Sequence, residues 1–392
     1  TKTLTKALIG LTFAGALDHS YRLESVTVNA NVVQATHGET VSDELLGGGD
    51  GAQTFQSFIL KKPPLTHTSA ATASGSESTL TLRVNEVEWQ QKSSLYGLDG
   101  DSKSYTVRID DDANAIATFG DGKIGARLPT GQENVVATYR SGIGLNGEVG
   151  KGSLTLFKTR PFGVTEVTNP IEADGAEDPE KLADARENAP LTVLTLDRVV
   201  SLQDYEDFAR AFAGIGKAQA VAVWSGEEEL VHITIADSNG EQIDDQSSTY
   251  TNLRDAIDDA RDPLRQVKLA SFESLTFDLT AELLIDDALE WENVKADLEE
   301  TLLEAFSFVF CSFVQPVTAS EVMKIMHDVE GVTAVDINLL AYSAYGALPP
   351  SPAFPSLLDA RVATYDRSEG AILPAQLLLI NESGITLTEM TL

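Results

Sequence analysis

The sequence has a single cysteine, Cys311, so no internal disulfide can form, and a reducing compartment is expected. Cys311 sits among Phe308, Val309, Phe310 and Phe313, where a thiol serves as a small buried hydrophobe. No apolar run approaches the roughly 18 residues a membrane-spanning helix needs, so no span is expected. Ala7 to Leu17 has the apolar character of a signal-peptide core, but no Ala-x-Ala-like site follows it, and it reads as ordinary structure. Basic residues are scarce: 28 Lys and Arg stand against 60 Asp and Glu, a formal charge of −32. Nucleic-acid binding requires clustered cations to displace counterions, but no five-residue basic run exists, and Lys151, Lys158 and Arg160 spread three charges over ten residues. No nucleic-acid partner is expected.

Chemistry-bearing motifs are also thin. His19, His37, His67, His232 and His327 lie far apart, with no HxxxH pair and no cysteine at metal-site spacing. Neither G-x-S-x-G nor a P-loop occurs. Gly142-Ile143-Gly144-Leu145-Asn146-Gly147 matches G-x-G-x-x-G, but a dinucleotide site needs a helix to open there and hold the pyrophosphate. The next pattern is a strand, Leu154 to Phe157, so the glycines read as a hairpin loop. Asp110, Asp112 and Asn114 have the first spacings of a calcium loop. The sixth position, which wants glycine, is Ala115, and the twelfth, which wants glutamate, is Asp121. A solvated acidic turn is the better reading. The sequence therefore predicts no metal, no cofactor and no enzyme. The competing reading, a carbohydrate-binding or cell-wall-hydrolysing protein, would use carboxylate pairs such as Asp99 and Asp101, which mean little in so acidic a chain.

What is present is alternation, and 42% hydrophobic residues are enough to bury several cores over 392 positions. Residues 1–65 read as an extended β segment, the end of an upstream domain, with Val26, Val28, Ala30 and Val32 on one face. Residues 66–165 read as a β-rich sandwich or barrel after a small, polar loop at 69–77. Leu80, Leu82 and Val84, then Tyr105, Val107 and Ile109, alternate between turn signals.

Residues 166–215 read as a helical connector. Asp178-Pro179 opens one helix, to about Asn188, and Ser201-Leu202-Gln203-Asp204 is a capping-box start to another. There Tyr205, Phe208, Ala209 and Phe212 form one apolar stripe, and Gly214 stops it. Residues 216–345 read as an α+β module. A hairpin turns at Gly226–Glu229, the strand Leu275–Ile285 is the clearest in the chain, and Thr318-Ala319-Ser320-Glu321 caps a helix that Gly331 ends. Residues 346–392 read as a Pro-rich linker and a β-like tail. The fold class is multidomain α+β.

Three segments in order carry a resemblance. They are Phe119–Gly131 continuing to Val149, Thr168–Pro179 leading into Ala185–Pro190, and Leu196–Ala209, within which Asp197-Arg198 and Asp204-Tyr205 fall. Together they resemble the baseplate J family of contractile phage tails and extracellular contractile injection systems, over about residues 115–225. The resemblance implies a structural wedge protein, assembled in the bacterial cytoplasm into a phage-tail-like particle. Such wedges self-associate, join a second wedge protein and surround a central spike and hub. The ring they form holds the sheath until a trigger changes its shape. Arg186, Asp197, Arg198, Asp204, Tyr205 and Phe208 are the residues expected either to pack the short helices on the sheet or to touch partners.

Overall fold

Strand alternation is followed closely in the N-terminal third. The computed structural model describes residues 32–33, 35–142, 144–173, 176, 178, 186, 198–286, 288–343 and 357–390. The chain divides into two units, one of residues 1–37 and 148–174, the other of residues 38–147 and 175–392. The second begins with β1 (Glu39–Gly47), β2 (Ser57–Ile59), β3 (His67–Ser69), β4 (Ser76–Ser78), β5 (Thr81–Val84), β6 (Val87–Gln91), β7 (Ser104–Ile109), β8 (Ala115–Phe119) and β9 (Val135–Ser141).

Seven of these nine form one sheet in the order β1-β9-β5-β6-β7-β8-β2. Its two edges approach each other. The Lys61 ammonium donates to Leu45 O at 2.9 Å, and the Gln56 side-chain amide donates to Gly48 O at 3.0 Å. The result is a nearly closed barrel, which hides the edge groups an open sheet would expose. Leu82, Phe119, Val135, Ala137 and Tyr139 are buried inside. The Phe119 ring takes Trp89 edge-on at 5.3 Å and Phe58 edge-on at 6.1 Å, the orientation aromatic quadrupoles favour. Asn85 and Glu86, at φ 50° and 64°, make the tight β5–β6 turn, and mirror-image turns of this kind need two left-handed residues.

Four expectations are corrected here. Residues 39–60 belong to the barrel, since β1 pairs along β9; bulges between Val41 and Glu44 and between Leu45 and Gly47 break the alternation that would have shown it. Residues 69–77 are not all loop, because β3 and β4 pair as a ribbon. Leu154–Phe157 is not a strand. Gly142–Gly147 is consequently not a hairpin loop, and Gly144–Gly147 is a single 3-10 turn with no α-helix after it. Asp110 closes its own turn, accepting at Oδ1 from the backbone N–H groups of Asp112 (3.0 Å) and Asn114 (2.8 Å). These hydrogen bonds and one from the Asn114 side chain hold the Asp110 carboxyl below its usual range. The strand expected from Val26 to Asn31 lies outside the described residues, as does most of the helix expected over 178–188.

The rest of the second unit contains α1 (Leu202–Arg210), β10 (Ile215–Trp224), β11 (Glu229–Asp237), α2 (Ser248–Ala260) and β12 (Val267–Ser271). It continues with β13 (Glu273–Ile285), α3 (Trp291–Ala305), β14 (Val317–Thr318), α4 (Ala319–His327) and β15 (Val332–Tyr342). It ends with β16 (Leu357–Leu358), β17 (Thr364–Asp366), β18 (Ala371–Leu373) and β19 (Gln376–Glu389). Two three-stranded sheets result, β10-β11-β12 and β15-β13-β19. β19 lies parallel to β13 and buries Leu377, Leu378 and Leu387, so the expected tail is an integral strand of the third sheet.

The two sheets repeat one plan. In each, the central strand has an antiparallel neighbour and a parallel one: β11 between β10 and β12, β13 between β15 and β19. Each antiparallel neighbour follows a nine-residue helix, α1 or α4. Ser201 Oγ accepts from Asp204 N at 3.1 Å, and Thr318 Oγ1 accepts from Glu321 N at 3.1 Å. Each helix then leaves through a glycine in the left-handed region, Gly214 at φ 88° and Gly331 at φ 95°. The chain order differs, because the capped helix and its strand precede the central strand in one sheet and follow it in the other. The clearest sequence strand, β13, buries Phe277, Leu279, Ala281 and Leu283 at alternate positions.

Candidate functional site

The capped start of α1 gathers most of the residues singled out in the sequence. Its capping box is reciprocal. Ser201 Oγ takes the Asp204 N–H, and Asp204 Oδ2 takes the N–H groups of Ser201 (2.8 Å) and Val200 (3.1 Å). Those backbone donors hold the Asp204 carboxyl below its usual range. The apolar stripe faces the β10–β11 sheet, with Tyr205, Phe208, Ala209 and Phe212 all buried. Burial pushes the Tyr205 hydroxyl's pKa up. Glu206 Oε1 accepts from Ala220 N of β10 at 2.9 Å, which pins the helix to the sheet from its polar side.

Beside this helix start lies a cleft of about 780 Å³ lined by Arg198, Val200, Tyr205, Arg261, Leu264 and Arg265, among others. Val199 forms its floor, donating its N–H to Ala260 O at 3.3 Å and bridging Arg261 in parallel. Arg261 is committed to the turn after α2. Its Nε donates to Asp258 Oδ1 at 2.6 Å, and its Nη1 reaches Asp262 O at 3.1 Å. Arg198 and Arg265 are exposed at the rim. Val200 is 71% and Leu264 90% exposed, so apolar surface stands beside the two cations, and the exposed carboxylates of Glu229, Asp259 and Asp262 line the same cleft.

Of the six residues named from the sequence, Arg198 and Tyr205 line the cleft, Asp204 holds the Val200 backbone beside it, and Phe208 lies in the packing layer. Arg186 is exposed elsewhere in the chain, and Asp197 lies outside the described residues. Sequence reasoning missed Arg261, Leu264 and Arg265. The available signal was the Asp262-Pro263 break, which was legible as a helix stop but not as the opposite wall of a cleft.

Outside the cleft, His232 and Cys311 are held within the packing. His232 is 2% exposed on β11, and burial lowers its pKa to about 4. Its Nδ1 lies 3.4 Å from Thr234 Oγ1, which in turn accepts from Ala375 N at 3.0 Å. Cys311 is buried, and desolvation raises its thiol to about 11, far from a reactive thiolate. Asp99 and Asp101 are exposed on the loop before β7. Among the described residues no group of three or more His, Cys, Asp or Glu is arranged to hold a metal. No helix among them is long and apolar enough to cross a membrane.

α1, β10, β11, α2 and β12 coincide with a known type of domain. Residues 197–270 match the family described as the baseplate J-like central domain. Over these residues the chain is similar to a baseplate J-like central domain, and the match falls where the sequence resemblance and the α+β module meet. No curated protein matches the chain. Among solved structures it is similar to a chain in the cryo-EM structure of the anti-feeding prophage (AFP) baseplate, 6-fold symmetrised. The identity is 10%, the TM-score 0.36, and the similarity covers 86% of this chain and 76% of that one. At that TM-score the likeness adds no weight to the family match.

Proposed function

We propose that this chain is a structural component of the baseplate of a contractile injection system or phage tail. Its part there is a wedge, joining a second wedge protein around the central spike and hub and coupling the state of the ring to the sheath. It works without catalysis or cofactor, and its assembly takes place in the bacterial cytoplasm. The observation that carries this reading is the match to the baseplate J-like central domain over residues 197–270. The architecture agrees with it: a barrel and two sheet modules, each with its own core, suit a rigid assembly part.

Within this role the cleft beside α1 is the contact for a partner, with Arg198 and Arg265 meeting carboxylates and Leu264 and Val200 meeting apolar side chains. Asp204, Tyr205 and Phe208 hold that surface in place. Mixed apolar and arginine surfaces of this kind are enriched where interfaces concentrate their binding energy. Co-purification from cells expressing the neighbouring baseplate genes tests it. Arg198→Glu with Arg265→Glu is expected to lose the second wedge protein while circular dichroism stays native. Undiminished recovery of every baseplate protein by the double variant would remove the cleft from the account.

A further inference from the structure

The segment Leu154–Phe157, expected as a strand and not found as one, lies in a wholly exposed stretch. Every residue from Lys151 to Glu166 is exposed, including large apolar ones. Leu156 is 89% and Phe162 108% exposed, with Leu154 at 44% and Ile171 at 74% nearby. Among the described residues, Thr155, Leu156 and Phe157 make no backbone hydrogen bond. Yet Ser153-Leu154-Thr155-Leu156-Phe157 has the alternation and the β-branched and aromatic content of a strand. What surrounds it locally is order of another kind. Leu154 N donates to Asn169 Oδ1 at 3.0 Å, Gly152 N donates to Asn169 O at 2.9 Å, and the Arg160 guanidinium binds Val164 O at 3.0 Å. The segment is thus an anchored loop that presents a strand-like stretch with free backbone groups.

Its charge identifies what it fits. Between Lys151 and Val164 stand Lys151, Lys158 and Arg160 and no acidic residue. The whole chain carries −32, so everything outside this stretch is more negative still. A basic, apolar, strand-like segment on a strongly acidic protein complements the surface of another copy of that protein. The sheet modules supply receptive edges: among the described residues, β12, β15 and β19 each pair on one side only.

We propose that residues 153–157 add as a strand to an open sheet edge of a second copy of this chain. Backbone hydrogen bonds give the pairing its strength, and Lys151 and Arg160 steer the arm to an acidic face. This deepens the assembly role proposed above and rests on it for its setting.

Sedimentation of the full-length chain across a concentration series, at low and high salt, tests the inference together with hydrogen exchange of residues 153–157. The wild type is expected to associate, less so at high salt, with amide protection in 153–157 rising with concentration. Leu156→Asp removes the apolar anchor and Thr155→Pro removes a backbone donor. Each is expected to weaken association at least tenfold with an unchanged circular dichroism melt, because the segment is exposed. Equal association constants for wild type and both variants overturn the inference, as does unchanging exchange at 153–157. A wild type that is monomeric throughout but still enters particles overturns the inference alone and leaves the baseplate role standing. Association through this segment by a chain that never enters particles supports the inference and refutes the role.

Discussion

Replacing Phe208 by aspartate attacks the stripe on which the central domain depends. Phe208 is 4% exposed, and it packs in one cluster with Tyr205, Phe212, Ile233 and Leu253. Removing the ring forfeits about 1.5–3 kcal/mol of burial. A carboxylate placed there adds an effective penalty of several kcal/mol unless it protonates or the helix peels away. Arg261 and Arg265, near Tyr205, are on the cleft side, and Arg261 already serves Asp258. The sum approaches the roughly 5–15 kcal/mol that holds a domain folded. The α1–β10–β11–α2–β12 module is therefore expected to unfold locally. Thermal melting followed by circular dichroism, with limited proteolysis between residues 198 and 271, is the assay. Poor solubility and new cleavage in that window are expected, with the barrel intact. Glu300→Lys, on the exposed face of α3, is expected to be silent. A Phe208→Asp protein that melts like wild type and resists protease would refute the helix packing and the energetic argument together.

Ser201→Ala removes one half of the capping box and is expected to cost about 0.5–2 kcal/mol, read as a lower melting temperature. The Asp204 carboxyl is held low by the Ser201 and Val200 N–H groups, so its contribution is present above the ordinary carboxylate pKa of about 4 and fades as pH falls through its lower folded value. Asp204→Asn should flatten that part of the acid-melting curve. His232 is kept neutral by burial, with its pKa lowered to about 4. Its contribution is complete above the unfolded value of about 6.5 and is lost progressively as pH falls toward 4; an NMR titration should find its ring neutral at pH 6. Gly331→Ala puts a side chain on a residue at φ 95°, where its Cβ would approach Leu289 Cδ1 to within 2.4 Å. A destabilisation above about 1 kcal/mol is expected, against a negligible effect at exposed, open Gly97→Ala beyond its own φ strain.

Local chemistry was legible in the sequence wherever one rule governed the element. β8 and β13 alternate as written, α1 and α4 begin at their cap hydroxyls, and Gly214 and Gly331 end them. Long-range pairing was not legible. β1 hides behind two bulges, and β19 reaches β13 from far along the chain, with a parallel register that no local pattern announces. The repeated plan of the two sheets leaves only a hydroxyl cap, an acid three residues on and a glycine at matching spacing. The stripes between them differ in chemistry: Tyr205 and Ala209 in one helix, Val322 and Met326 in the other. The candidate site divided in the same way. Arg198 through Phe208 lie on one short stretch and could be singled out together. Arg261, Leu264 and Arg265 become its neighbours only because the Val199 bridge brings the end of α2 alongside.

The central claim is a structural place in a baseplate, and electron microscopy of particles made with and without this chain tests it most directly. The account predicts that cells lacking the chain make no assembled baseplate and no sheathed particle, and that the wild-type chain restores both. Complete, contractile particles assembled in its absence would contradict the account.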